Sequence, residues 1–227
     1  MTDSGRVIVI GAGHNGLVCA AYLARAGREV LVLEAADRVG GAAVTREFAP
    51  GFRVSAGAHL LHLLDPKVSR ELALGQNGLS LARAALKTVA LSESGAPLVL
   101  DGAEVLGGDI SAADRAALAP YLARMHRFAA VLGRQHGRLP PRLAWGRLRD
   151  AMPAASLALD LRRLGRTDMR EFLRIAAINI YDVLEEAFDS PQLKGALALD
   201  AVLGTHAGPR SGNTVLAALH RLSGAVA

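Results

Sequence analysis

The chain has 227 residues, of which 51% are hydrophobic, and its formal net charge is +5. This composition is too apolar for a disordered protein and is sufficient for one large domain or two small ones. A single cysteine, Cys19, excludes an intramolecular disulfide, a cysteine-based metal site and a flavin dithiol relay, and the seven histidines show no metal-ligand spacing.

No apolar run approaches the roughly 20 residues that a helix needs to cross a bilayer. Asp3 and the glycine spacing also argue against a signal peptide within Val7–Ala24. We therefore predict a cytoplasmic protein. Cys19 lies between Val18 and Ala20, and we expect it to be a small, buried apolar residue.

The first elements along the chain form a strand, a helix and a second strand. Arg6–Ile10 is rich in β-branched residues and predicts a strand that is buried on both faces. Leu17–Ala26 favours a helix that ends at Gly27, and Glu29–Leu33 is a second apolar run. The two strands of such a βαβ unit must pair in parallel.

A glycine-rich turn, Gly11-Ala12-Gly13-His14-Asn15-Gly16, joins the first strand to the helix. In this GxGxxG spacing the first glycine permits a tight bend, the second lets the backbone approach a pyrophosphate, and the third lets helix and strand pack closely. The helix N-terminus, at about Asn15–Leu17, points its free N–H groups at the phosphates. His14 is expected to shape the turn.

Glu34 ends the second strand and matches the acid that accepts hydrogen bonds from ribose hydroxyls. Because a carboxylate repels a 2′-phosphate, NADP is disfavoured. NAD and FAD both remain possible at this point.

The residues after Glu34 distinguish between these two cofactors. Asp37-Arg38-Val39-Gly40-Gly41, followed by Thr45, resembles the glycine-doublet motif of FAD-dependent oxidoreductases of the phytoene desaturase and amine oxidase superfamily. The resemblance implies that the doublet lies against the flavin side of the pyrophosphate, and therefore that the cofactor is FAD. Ala42 stands where the motif commonly has a second arginine, so that contact is missing. The predicted cofactor-binding residues are Gly11, Gly13, His14, Asn15, Gly16, Glu34, Arg38, Gly40, Gly41 and Thr45.

Two hairpins and a short helix are predicted next. Ala43–Phe48 pairs with Phe52–Ser55, and Val89–Ser92 pairs with Leu98–Leu100. The short helix covers Lys67–Leu74.

The remainder of the chain is predicted to be helical. Ser111 and Asp114 resemble a capping box at the start of a helix with one apolar face. Further helices are expected near Ala155–Leu164, over Thr167–Phe188, from Ser190-Pro191 onward, and over Thr214–Leu222.

These elements predict an α/β fold. A Rossmann-like FAD-binding βαβ unit with β-hairpins would occupy residues 1–110, and a mostly helical substrate or cap region would occupy 111–227. Residues 6–80 resemble the N-terminal FAD segment of phytoene-desaturase-like oxidoreductases. The stretch LRIAAINIYDVLEEAFDSPQLKGALALDAVLGTHAGPRS is similar to the subgroup named pyridine nucleotide-disulphide oxidoreductase domain-containing protein 2. That name implies a dithiol, which this sequence lacks.

A basic block lies between Arg115 and Arg174, with thirteen arginines and four acids. Its few aromatic residues form no stacking motif, so we predict no nucleic-acid partner. Two interpretations remain: arginines on solvated helix faces, or peripheral contact with an anionic membrane surface.

The family resemblance implies a dehydrogenase or desaturase that transfers hydride from an organic, apolar small molecule to FAD. Candidates for the substrate side are His59 and His62, since the segment after the doublet runs beside the flavin in that family. His206 and Arg210 lie in a loop that could face substrate or serve only to hold the loop together. Two alternatives stay open, an NAD-dependent dehydrogenase and a catalytically inactive fragment or binding module.

Flavoproteins of this superfamily return to the FAD domain near the end of the chain. No stretch after Gly212 has the pattern of a returning strand. We therefore expect an N-terminal fragment, incomplete relative to the family, that binds FAD poorly alone. A partner chain would supply the missing C-terminal half.

Overall fold

The computed structural model describes residues 5–58, 60–83, 86–93, 95–138 and 148–224. The chain forms two compact units, Met1–Ser80 and Leu81–Ala227. The first contains a Rossmann-like βαβ arrangement and the second is mostly helical, as the predicted fold class requires. The boundary at residue 110 between a cofactor region and a substrate region stays a prediction.

The first unit is built on two parallel strands and one helix. Strand β1 (Val7–Ile10) pairs with β2 (Val30–Leu33), and α1 (His14–Arg25) connects them. Gly27 follows α1 with φ +77°, in the left-handed region that favours glycine. The predicted βαβ unit and its helix stop are confirmed.

One face of this two-stranded sheet is open. Ile8 and Ile10 are 56% and 86% exposed, and Leu31 and Leu33 are also exposed. The expectation of a strand buried on both faces is therefore wrong, because no other described element of this unit covers this face. Cys19 is exposed as well, which corrects its expected burial: it lies on a side of α1 that no other described element of this unit covers.

A hairpin and a short helix complete the first unit. The hairpin pairs β3 (Thr45–Ala49) with β4 (Phe52–Ser55) in antiparallel fashion, as predicted. A 3-10 turn, Gly41–Ala43, precedes it. Helix α2 (Pro66–Glu71) is shorter than expected, and Asp65 caps it by accepting a hydrogen bond from the Lys67 N–H.

The second unit contains a three-stranded antiparallel sheet. Strands β5 (Thr88–Ala90) and β6 (Leu98–Asp101) form the second predicted hairpin, and β7 (Glu104–Gly107) adds a third strand that the sequence interpretation missed. Leu98 is fully buried in the hydrophobic core of the helices. The sheet therefore belongs to the helical unit.

In the described part of the chain six helices follow this sheet, and the core lies between them. They are α3 (Ala112–Gly133), α4 (Leu148–Arg163), α5 (Gly165–Ile175), α6 (Ile180–Ala187), α7 (Pro191–Val202) and α8 (Thr214–Gly224). Helix α8 packs against both α3 and α7. Leu118, Met125 and Ala129 of α3 are buried in the core, as the predicted apolar face requires.

The single helix predicted over Thr167–Phe188 is wrong, because the chain breaks between α5 and α6. The Asn179 side chain starts α6 by accepting a hydrogen bond from the Asp182 N–H at 2.8 Å. The Asn213 N–H donates to the Ala177 carbonyl at 3.2 Å. Asparagine capping and a distant loop together outcompete helix continuation.

The predicted capping box at Ser111 is only half formed. Ser111 Oγ accepts a hydrogen bond from the Asp114 N–H at 3.0 Å. The buried Asp114 carboxylate instead accepts from the N–H groups of Asp189 and Ser190, at 2.9 and 2.8 Å. Asp114 therefore joins α3 to the start of α7.

Arginines of the basic block form ion pairs within the helical unit. The pairs are Arg127–Asp168 (2.7 Å), Arg134–Asp160 (2.9 Å), Arg174–Glu171 (2.8 Å) and Arg174–Glu186 (2.6 Å). This arrangement favours the interpretation of arginines on helix faces, and membrane-surface contact stays a prediction. Across the described helices, none combines the length and apolar character needed to span a bilayer.

Candidate nucleotide-binding site

The three glycines of the turn differ in what surrounds them. Gly11 has φ +93°, which allows the bend after β1. A Cβ on Gly16 would lie 2.0 Å from the Gly11 carbonyl oxygen, so only glycine permits this close approach of α1. A Cβ on Gly13 would meet nothing within 4 Å. The space next to the Gly13 Cα is therefore open.

The N-terminus of α1 faces this open space with few side-chain contacts. Gly13 is its N-cap in an extended conformation, and it provides no side-chain cap hydrogen bond. The first turn contains no acidic residue, and His14 and Asn15 are exposed. Backbone N–H groups at such a terminus can bind an anion.

Glu34 connects the end of β2 to the glycine turn. Its carboxylate accepts hydrogen bonds from the Ala12 N–H at 2.6 Å and from the Ala36 N–H at 3.0 Å. These bonds, the one from Ala36 foremost, lower the pKa of Glu34 below its ordinary value of 4.5. The exposed carboxylate is therefore ionised at neutral pH. Its remaining lone pairs can accept ribose hydroxyls.

The glycine doublet lies directly against the turn. Gly40 and Gly41 have φ +124° and +57°. The Gly40 N–H donates to the Ala12 carbonyl at 2.7 Å, and Gly40 forms a parallel bridge with Gly13. A Cβ on Gly41 would stand 3.0 Å from the Gly13 Cα. Two motifs nearly thirty residues apart in sequence therefore form one backbone surface.

A pocket of about 650 Å³ adjoins this surface. It brings together four predicted residues, Glu34, Arg38, Gly41 and Thr45. It also includes three charged residues of the hairpin that the sequence interpretation missed: Arg46, Glu47 and Arg53. The sequence feature that could have identified these residues is their position in the hairpin that follows the doublet.

Of the two histidine candidates, His62 is the one that the structure describes. His59 lies outside the described residues. His62 is half-buried between β4 and α2 and does not line the pocket. Their substrate-side role stays a prediction.

The loop that holds His206 and Arg210 is fixed by contacts within the helical unit. The Arg210 guanidinium stacks over the Tyr181 ring at 3.9 Å from its centroid, and the Tyr181 N–H donates to the Pro209 carbonyl. These contacts favour a structural role for Arg210. No group of three or more His, Cys, Asp or Glu residues that could hold a metal occurs among the described residues.

Comparison with known proteins is consistent with this geometry. Residues 9–73 match the family described as NAD(P)-binding Rossmann-like domain, and that range contains the turn, Glu34 and the doublet. Over 96% of its length the chain is 33% identical to pyridine nucleotide-disulfide oxidoreductase domain-containing protein 2 of Mus musculus. The chain is a homologue of that protein. It spans 41% of the relative's length.

The chain is also similar to a subunit of a dehydrogenase and, in fold, to an oxidase. It is 43% identical over 97 residues to a subunit of limonene dehydrogenase from Castellaniella defragrans, a match that covers 42% of the chain and 18% of that protein. The structure of putrescine oxidase bound to putrescine matches with a TM-score of 0.55 at 20% identity, over 94% of this chain and 40% of that one. The predicted fold class and the predicted resemblance are confirmed.

Proposed function

We propose that the chain binds FAD and forms the cofactor-binding part of an oxidoreductase. The observation that carries this proposal is the contact of the Gly40-Gly41 doublet with Gly13. The residue next to Gly13, Ala12, donates a hydrogen bond from its N–H to the Glu34 carboxylate. The open space at Gly13 fits a pyrophosphate, and the ionised Glu34 fits a ribose and repels a 2′-phosphate. The doublet adds a second backbone surface, which a simple NAD site does not need.

FAD would supply the hydride acceptor for the reaction. The residues of this chain would hold and orient it: the α1 N-terminus at the phosphates, Glu34 at the ribose, and the doublet along the pyrophosphate. We propose an organic, apolar small molecule as the hydride donor. The similarity to a limonene dehydrogenase supports an apolar substrate.

The test is a titration of the purified chain with FAD, NAD and NADP, followed by fluorescence. We expect saturable FAD binding, weaker NAD binding and no NADP binding. A protein that binds NAD more tightly than FAD would support the alternative, an NAD-dependent dehydrogenase. A protein that binds none of the three would overturn the proposal and leave a non-catalytic module.

We also propose that a further polypeptide segment covers the open face of the β1–β2 sheet. A parallel sheet is normally covered on both faces, whereas Ile10 is 86% exposed here. The segment would come from a longer form of the same chain or from a partner chain. The relative from Castellaniella defragrans is named as one subunit of its enzyme, which supports a partner chain.

The oligomeric state of the chain tests this second proposal. We expect the parent to self-associate in gel filtration and to bind FAD weakly. An Ile10→Ser variant should associate less, whereas Leu173→Ser, which changes an exposed residue of the helical unit, should behave like the parent. A monodisperse parent that binds FAD tightly and oxidises a substrate without any added chain would contradict the proposal.

A further inference from the structure

The pocket beside Glu34 contains guanidinium groups that have no carboxylate partner. Arg38, Arg46 and Arg53 all line it. Within the described part of the chain, none of the three forms an ion pair or a side-chain hydrogen bond. All three side chains are exposed.

The hairpin geometry explains why Arg53 stays unpaired. Glu47 lies directly opposite Arg53 in the β3–β4 register, where an ion pair across the strands would be expected. Instead the Glu47 carboxylate accepts a hydrogen bond from the Gly51 N–H at 2.9 Å. A register shift between Glu47 and Ala49 accompanies this contact. Glu47 therefore stabilises the turn and does not form an ion pair with Arg53.

Two further acids line the pocket, Glu34 and Asp37, and neither forms an ion pair with these arginines in the described structure. Glu34 accepts hydrogen bonds from two backbone N–H groups and forms no ion pair in the described structure. Gly41 lines the same pocket, and its position against Gly13 means that the pocket adjoins the glycine turn. A ligand that extends from Glu34 to the turn therefore passes close to the hairpin arginines.

Charge balance indicates what these arginines bind. A pyrophosphate carries about two negative charges, whereas a helix N-terminus contributes only about half a positive charge. Gly13 and the first turn of α1 provide no charged cap, and Ala42 beside the doublet carries no charge. A planar guanidinium can form two parallel hydrogen bonds to a phosphate.

We propose that Arg46 and Arg53 of the β3–β4 hairpin bind the pyrophosphate of the dinucleotide whose ribose is held by Glu34. This inference rests on the proposed nucleotide binding. The two hairpin arginines would supply the positive charge that the glycine turn lacks.

The experiment compares Arg46→Gln and Arg53→Gln with the parent in titrations with FAD, ADP and adenosine at several KCl concentrations. Each variant should weaken FAD and ADP binding by about tenfold, since a charge-assisted hydrogen bond is lost. Each should reduce the salt dependence of that binding and leave adenosine affinity unchanged. Arg70→Gln, an exposed arginine outside the pocket, is the matched control and should behave like the parent.

The possible failures are distinguishable. If the parent binds FAD and both variants bind it equally well, the inference is wrong while the proposed function stands. An equal loss of adenosine binding would mean that the arginines contact the base and not the phosphates. A parent that binds neither FAD nor ADP would overturn both proposals.

Discussion

Asp114 and Ser190 are joined by a hydrogen bond across 76 residues of chain, from the Ser190 N–H to Asp114 Oδ2 at 2.8 Å. Asp114 is only 2% exposed, and its other carboxylate oxygen accepts a hydrogen bond from the Asp189 N–H. One carboxylate thus holds the first long helix of the second unit to the start of α7.

This relationship makes Asp114 more important for stability than the cap beside it. We expect Asp114→Ala to lower the free energy of unfolding by about 2–3 kcal/mol, because one buried and one part-buried N–H group lose a charged acceptor. Ser111→Ala, which removes only a helix cap, should cost about 1 kcal/mol. Urea unfolding followed by circular dichroism measures both values. Equal losses would contradict the structural role assigned to Asp114.

A second stability prediction concerns the buried carboxylate of Asp160. Its side chain is 3% exposed, and it pairs with Arg134 at 2.9 Å. We expect Arg134→Ala to cost about 2 kcal/mol, since it removes the closest cation from a buried charge that Arg163 reaches only at 3.4 Å. Arg124→Ala, which breaks a 4.0 Å contact with Asp168, should cost under about 1 kcal/mol. The comparison uses the same urea titration.

The glycine turn yields two variants with opposite consequences. Gly13→Val should preserve the folded first unit, because its Cβ has open space, and should abolish FAD binding by occupying the phosphate position. Gly16→Ala should destabilise the unit itself, since its Cβ would overlap the Gly11 carbonyl. Limited proteolysis reports folding and fluorescence titration reports binding. FAD retention by Gly13→Val would remove the basis for a pyrophosphate at the turn.

The lowered pKa of Glu34 predicts how nucleotide binding varies with pH. An acid whose pKa is depressed in the folded protein stays ionised down to below 4.5, so FAD affinity should be constant from pH 8 to pH 5. It should fall only as the pH drops through the lowered pKa. Glu34→Gln should bind FAD about tenfold more weakly, because the acceptor loses its charge. Glu34→Arg should be weaker still. A parent that loses affinity already at pH 6 would contradict this assignment.

His220 predicts a different pH response, in the stability of the helical unit. Its ring nitrogen lies 3.3 Å from His136, and burial, followed by the charge of His136, lowers the pKa of His220 below 6.5. The unfolded chain therefore binds this proton more tightly than the folded chain does. Stability should be full above about pH 7 and fall as the pH drops through 6.5 towards the lowered value.

Thermal melts at pH 7.5 and pH 5.5 test this response. His220→Gln should reduce the difference between the two melting temperatures. His206→Gln, which changes an exposed loop histidine, should leave the difference as in the parent. An unchanged difference in His220→Gln would mean that other groups control the acid sensitivity.

Features set by local chemistry were predictable from the sequence. The glycine spacing predicted the turn and the helix start, Gly27 the helix end, and Ser190-Pro191 the start of α7. Each depends on backbone preferences of a few adjacent residues. The contact between the Gly40-Gly41 doublet and the glycine turn was implied by the motif resemblance. The distance between the two motifs in the sequence did not predict it.

Features that depend on distant contacts were not predictable. The break between α5 and α6 needs the Asn213 N–H, which lies 36 residues beyond Ala177 in the chain. Asp114 has the sequence signature of a capping box, but its carboxylate is used by a helix far along the chain. Arg53 lacks an ion pair with Glu47 because the Glu47 carboxylate accepts a hydrogen bond from the Gly51 N–H of the hairpin turn. Sequence patterns carry no information about which of two partners a side chain selects.

The packing of α8 against α3 has a consequence during protein synthesis. About 80 residues separate the end of α3 from the start of α8, and the ribosome needs several seconds to add them at about 5–20 residues per second. Throughout that interval the apolar side of α3 has emerged without the helix that covers it. The nascent helical unit is therefore a natural client for chaperones that bind exposed apolar segments, until α8 leaves the exit tunnel.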